Sequence, residues 1–210
     1  MDEFILRFVY ENDENSKPVE IELEPFTLIA ATTALSRLSH AFRSRFPILF
    51  CFENYTIDEL SEIAISFAKE NNFILLDSAS KILAQNSRGT PRVIKNLCLR
   101  TIDFCSFNNK KTIDERDVIR TLSNLQIYKN GLTNIDIKIL KALKYRYNKE
   151  PVSLEAISSC IDEPFEDLML VYEPFLVRNN YVNRTRRGRQ ITLVGLSYLE
   201  EIEKKDENNK

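Results

Sequence analysis

Apolar and polar positions are spaced as in strands at the start of the chain and as in helices from residue 56 onward. FILRFVY at 4–10 and PVEIEL at 18–23 flank the polar stretch ENDENSK, a pattern that predicts a β-hairpin. TLIAA at 27–31 is an apolar run that suits a strand inside a sheet, and it ends in Thr32-Thr33 and the Arg-rich loop SRLSHAFRSRFP. Thr56-Ile57-Asp58-Glu59 then has the capping-box form, and Leu60, Ile63, Ala64, Phe67 and Ala68 fall on one helical face. A second helix is predicted from about Asp77. A third follows the break SRGTPR, with Pro91 near its first turn, where a missing N–H costs nothing. Thr112-Ile113-Asp114-Glu115 has the form of a second capping box and predicts a fourth short helix to about Leu125, which completes a small bundle.

Gly131 and a polar stretch mark the next boundary. Ile135, Ile139, Leu140 and Leu143 line a helix ending near Tyr147, Ser153 caps another, and PFEDLMLVYEPFLVRN at 164–179 predicts a third. YVNRT, a tight RRG turn and RQITLV then read as a two-stranded hairpin. Three helices followed by a hairpin is the layout of a winged helix, a helix-turn-helix variant. The last residues, EEIEKKDENNK, read as a solvated charge run. The fold class expected is mixed α/β, mostly α.

Composition narrows the chemistry. The chain has 210 residues, 29 basic against 31 acidic side chains, one His and four Cys. A formal charge of −2 excludes a globally basic nucleic-acid coat but leaves room for a local basic patch. Cys51, Cys98, Cys105 and Cys160 form no C-x-x-C pair, so no metal site is expected. Cys98 and Cys105 share a helical face as reduced packing residues. His40 stands in no catalytic frame. No run approaches the ~18 apolar residues of a membrane span, and the acidic start is unlike a signal peptide, so no membrane partner and a cytoplasmic location are expected. The four glycines, Gly89, Gly131, Gly188 and Gly195, never precede Lys, so the phosphate-wrapping G-x-x-x-x-G-K-[ST] loop is absent from these residues.

Charge is concentrated in one place. Arg178, Arg184, Arg186, Arg187 and Arg189 fall between 178 and 189 with no acidic residue among them. A turn at Gly188 projects such guanidiniums from a wing, where they fork onto phosphate oxygens and position a protein on DNA without reading its sequence. Arg43 and Arg45 in HAFRSRFP, and Arg88 and Arg92 in SRGTPR, form two weaker clusters.

Taken in order, ELEPFTLIAATT, AFRSRF, SRGTPRVIKNL and VYEPFLVRNNYVNRTRRGR resemble RuvB, the AAA+ motor of Holliday-junction branch migration, from Met1 to about residue 200. The resemblance implies the C-terminal two thirds of that family. Residues 1–50 would be a partial AAA+ large subdomain with its β-hairpin, 51–127 a four-helix AAA+ lid, 128–203 a winged helix and 204–210 a charged tail. Thr32 and Thr33 would be the sensor 1 position and Arg43 the arginine finger that acts on a neighbouring subunit's nucleotide. Pro91 and Arg92 would carry the nucleotide-touching sensor 2. Arg184, Arg186, Arg187, Gly188 and Arg189 would be the DNA-contacting wing, and Phe8 and Tyr10 the face that docks a RuvA-type partner.

The family implies Holliday-junction DNA as substrate, a hexameric ring, and ATP with Mg in a complete subunit. No cofactor and no ATP hydrolysis are expected of this chain alone. The alternative is a free-standing, non-enzymatic winged-helix adaptor that has lost its ATPase half. Three stretches depart from the family pattern. G-A-T-T-R reads Ala30-Ala31-Thr32-Thr33-Ala34, Ser44 replaces an Asp beside the finger, and Arg186 stands where a Pro is usual, which adds charge to the wing.

Overall fold

A computed structural model of the chain describes residues 5–8 and 19–208, in two compact units, Met1–Cys51 and Phe52–Lys210. In the first unit, β1 (Ile5–Phe8) and β2 (Val19–Glu22) pair antiparallel, with Ile5 opposite Glu22 and Phe8 opposite Val19. The expected strand at 27–31 is not formed. That run is unpaired, and Ile29 is 87% exposed. An apolar strand is stable only with strands or helices beside it, and among the described residues of this unit the hairpin is the only sheet. A 3-10 turn at Leu35–Arg37 and the single-turn helix α1 (His40–Arg43) follow. The Ser39 hydroxyl caps α1 by accepting the Phe42 N–H at 3.2 Å.

The second unit begins with the bundle. Helix α2 (Ile57–Glu70) starts at the expected capping box, with Thr56 and Glu59 exchanging bonds, and buries Leu60, Ala64 and Ala68. Helix α3 (Asp77–Gln85) buries Ala79, Leu83 and Ala84. Helix α4 (Pro91–Phe107) carries Pro91 in its first turn and buries Ile94, Leu97, Cys98, Thr101, Ile102 and Cys105, one face at helical spacing. Burial pushes the Cys98 thiol up to about 12 and the Cys105 thiol up to about 11, so both stay protonated packing groups.

The last helix of the bundle starts two residues later than the sequence pattern suggests. Thr112 and Ile113 form β4 (Thr112–Ile113), parallel to β3 (Ile74–Leu75), and Ile113 is fully buried. Asp114, not Thr112, caps α5 (Glu115–Asn124) in a box closed by Asp117, and Lys110 bonds both carboxylates. The two-strand pairing consumes the backbone that a cap at Thr112 requires.

A second core begins at Leu132. Helix α6 (Asn134–Lys141) is capped by Thr133 with Asp136 and runs into a π-helical turn, Ala142–Arg146. Helix α7 (Leu154–Ile161) is capped by Ser153, whose hydroxyl accepts the Ala156 N–H. Helix α8 (Phe165–Asp167), a π turn at Leu168–Tyr172 and α9 (Glu173–Arg178) form one continuous helical segment. The widened turn sits just before Pro174, whose ring has no N–H to give Leu170 and crowds that carbonyl.

Strands β5 (Val182–Thr185) and β6 (Gly188–Ile191) make the hairpin, and the Val152 backbone pairs with Arg189 in a single antiparallel bridge. Gly188 sits at φ +135, and a Cβ there would meet the Val152 carbonyl oxygen at 2.3 Å, so no other residue fits without moving the sheet. The chain closes with α10 (Leu193–Asn208). Of the stretch expected to be a solvated charge run, residues 200–208 are the end of this helix. Ile202 is buried, and the Glu203 carboxylate accepts bonds from Lys144 at 3.0 Å and Tyr145 at 2.7 Å. An apolar stripe at Tyr198, Leu199 and Ile202 overrides the polar composition.

Candidate nucleic-acid interface

The hairpin turn is built by Thr185, whose hydroxyl donates to the Gly188 carbonyl at 2.8 Å and accepts the Arg187 N–H at 3.2 Å. Arg186 and Arg187 are therefore the two turn residues, both exposed at the tip of the hairpin. Arg184 and Arg189 face each other across the strands and converge on one carboxylate. Glu173 accepts from Arg184 Nε at 2.6 Å and from Arg189 Nε at 2.7 Å. Glu173 is only 3% exposed, whereas the Arg184 side chain is 55% exposed. Burial pushes the Glu173 carboxyl up, and the two guanidiniums outweigh burial and hold it below the usual glutamate range.

The five arginines are therefore not equivalent. Arg186 and Arg187 project freely, Arg184 is half engaged and Arg189 is largely committed to Glu173. Arg178 Nη2 donates to the Arg88 carbonyl at 3.0 Å and so is drawn to the lid. The acidic partner, Glu173, lies five residues before the arginine-rich stretch at 178–189. The signal that locates it is a lone carboxylate within the apolar run LMLVYEPFLV. The first half of the 165–178 helix, which in a helix-turn-helix enters the major groove, presents Glu166 and Asp167 with exposed Met169, Leu170 and Val171. Those groups do not suit phosphate, so the positive surface belongs to the wing.

The remaining candidates fall elsewhere. Pro91 and the exposed Arg92 open α4. Thr32, Thr33 and Arg43 lie in the first unit, all exposed. Thr32 Oγ1 accepts the Ala34 N–H at 3.0 Å, and Arg43 ends α1. Phe8 is placed only by its backbone register opposite Val19, and Tyr10 lies outside the described residues.

Comparison with known proteins separates the two cores by family. Residues 55–128 match the model of the RuvB AAA lid domain, and residues 129–200 match that of the RuvB C-terminal winged helix domain. This chain belongs to the RuvB family. The Holliday junction branch migration complex subunit RuvB of Mycoplasmopsis pulmonis is 36% identical over 202 residues, covering 96% of this chain and 64% of that protein. Its counterpart from Latilactobacillus sakei is 36% identical over 199 residues, 95% of this chain and 59% of that protein. A Thermotoga maritima RuvB point mutant superposes with a TM-score of 0.76 at 35% identity, over 86% of this chain and 60% of the other. The Thermotoga maritima RuvB Holliday junction branch migration motor gives 0.71 at 34% identity, over 78% and 55%. The chain thus spans about six tenths of the length of the RuvB proteins it matches.

The lid-to-wing junction is the part of this RuvB region that sequence reasoning did not find. Arg88, in the loop between α3 and α4, donates from Nε to the Gly131 carbonyl at 2.8 Å and from Nη2 to Asp136. Its guanidinium carbon lies 4.2 Å from the centre of the Phe175 ring. Thr133-Asn134-Ile135-Asp136 is legible as a helix cap, but nothing in sequence links Asp136 to an arginine 48 residues away. Among the described residues no group of three or more His, Cys, Asp or Glu side chains could hold a metal ion, and no helix is long and apolar enough to cross a membrane.

Proposed function

We propose that this chain is the DNA-engaging and trans-acting part of a RuvB-type, ATP-dependent motor of Holliday-junction branch migration, working in the cytoplasm in recombination and repair. The observation that carries the reading is the RuvB winged helix with Arg186 and Arg187 free at the hairpin tip. Arg184 and Arg189, braced on Glu173, set the direction of that tip and add part of their charge, and Gly188 lets the strand turn against Val152. Guanidiniums presented this way bind backbone phosphate and leave base edges unread, as a translocating motor requires.

In this reading residues 1–50 are the end of the AAA+ large subdomain, 51–127 the lid, 128–203 the winged helix and 204–210 a charged tail. Arg43 is the finger offered to a neighbouring subunit in a hexameric ring, Thr32 and Thr33 form sensor 1, and Arg92 with Pro91 forms sensor 2. Phe8 and Tyr10 belong to the hairpin that meets a RuvA-type partner. The residues present do not by themselves supply the phosphate-wrapping loop of a nucleoside triphosphate site, since none of the four glycines leads into a Lys. ATP and Mg belong to a complete subunit, to which this chain adds guanidiniums from Arg43 and Arg92.

The test is a salt titration of duplex binding with short DNAs of unrelated sequence. Affinity is expected to be alike across sequences and to fall log-linearly with salt. Arg186→Ala with Arg187→Ala is expected to flatten the slope by about 1.8, at about 0.9 per phosphate contact. Binding that ignores salt, or that survives the double change unaltered, overturns the wing assignment.

A further inference from the structure

We propose that Arg88 is a positioning residue that locks the winged helix to the lid, so that the sensor 2 residues at the start of α4 and the DNA wing move as one body. The roles of Arg92 and the wing in this statement rest on the function proposed above, but the lock itself does not.

One guanidinium reaches three separate elements of the winged helix. Nε bonds the Gly131 carbonyl in the connecting loop, Nη2 pairs with Asp136 on α6, and the flat face stacks on Phe175 of α9. Asp136 is completely buried, and its Oδ2 also accepts the Thr133 N–H at 2.7 Å and the Thr133 hydroxyl at 2.8 Å. A buried carboxylate needs a charged partner, and the partner it has comes from the lid. Arginine suits this site, because a planar fork can bond in two directions while its face lies on a ring, which an ammonium cannot do.

The bonds run in both directions. Arg178 of α9 donates back to the Arg88 carbonyl at 3.0 Å, and the Gly131 N–H donates to Asn86 Oδ1 at 3.0 Å. The backbones meet closely enough that a Cβ on Gly131 would lie 2.6 Å from the Asn86 carbonyl oxygen. Arg88 holds a left-handed backbone at φ +56, a conformation that costs a non-glycine residue free energy and persists because these contacts over-determine it.

The position of the lock gives it a function. Arg88 lies four residues before Arg92, on the turn closed by the Thr90 N–H to the Ser87 carbonyl at 3.2 Å. Phe175 lies two residues after Glu173, the carboxylate that holds Arg184 and Arg189. A displacement of the Arg88 loop, which leads directly into the first turn of α4 and Arg92, is therefore passed through a stacked guanidinium to the short helix that orients the wing.

The experiment measures rotational tumbling by backbone 15N relaxation in the 210-residue chain, comparing amides of residues 57–124 with those of 134–199. In the unaltered chain both groups share one correlation time, and adding a long duplex slows both together. Arg88→Ala and Arg88→Lys split that shared value in two, and the duplex then slows the winged helix while the lid lags. Arg88→Lys keeps a positive charge beside Asp136 and so guards against a variant that does not fold. A residue that only added stability would lower the melting temperature and leave one common correlation time. That result in both variants overturns the proposal, as does a lid that fails to slow when the unaltered chain binds DNA. If the unaltered chain binds no DNA, the wing reading fails, and the tumbling comparison without DNA still decides the lock.

Discussion

Two buried carboxylates organise the second unit, and they treat their arginines differently. At the junction, Asp136 is matched by one arginine whose side chain is only 15% exposed, so the charges cancel and the pair serves to hold two domains. At the wing, Glu173 is shared by two arginines, one of them more than half exposed, so a positive charge is left over and faces solvent. The same ion-pair chemistry gives rigidity in the first place and a directed, incompletely neutralised surface in the second. What decides between them is stoichiometry and access to water, since a pair in low dielectric is strong and costly to break while an exposed one is weak.

The sharpest way to break this comparison is to remove one arginine from each site and measure urea unfolding. Arg88→Ala takes the charged partner from Asp136 in the interior and is expected to cost about 3–5 kcal/mol. Arg184→Ala leaves Glu173 still held by Arg189, and it is expected to cost only about 0.2–1 kcal/mol because its pair is half exposed. Equal losses at the two sites would erase the distinction.

A smaller effect comes from the carboxylate itself. Glu173→Gln keeps the shape but removes the charge, and it is expected to cost about 1.5–3 kcal/mol at neutral pH, the range for bonds to a charged group. The folded carboxyl lies below the ordinary value of 4.5, so its contribution is complete above that value and disappears as pH falls through the folded one. The difference between the unaltered chain and the variant is therefore expected to shrink below about pH 4.5, by acid-dependent melting. A gap that widens in acid contradicts the pairing.

The smallest effect tests whether the lid keeps its own core when the junction is cut. Cys51 is exposed, while Cys98 and Cys105 are buried and held protonated. In thiol labelling of the native chain, Cys51 is expected to react at once and Cys98 to stay silent, in the unaltered chain and in Arg88→Lys alike. Labelling of Cys98 in that variant would mean the two cores depend on each other for stability.

Local signals were legible wherever one element carried them. The Thr56 box, Pro91 at a helix start, the Ser153 cap and the RRG turn each depend on residues within a few positions, and each forms as its pattern suggests. The misreadings came from partners that local pattern does not include. Thr112-Ile113 has the letters of a cap, but the pairing with Ile74-Leu75 makes it a strand. TLIAA has the letters of an interior strand but no strand pairs with it among the described residues, and EEIEKKDEN has the letters of a solvated run but brings Ile202 to the core and Glu203 to Lys144.

The sequence by itself determined most of the helices, the Thr56 and Ser153 caps, the position of the basic hairpin and the family, because these follow from short-range periodicity and contiguous motifs. Only the tertiary structure decided which arginines are free. Glu173 takes up Arg184 and Arg189 across 11 and 16 residues, and Asp136 takes up Arg88 across 48. A guanidinium's availability depends on the carboxylate that folding places beside it and on the water that folding removes, and neither is written in its immediate neighbours.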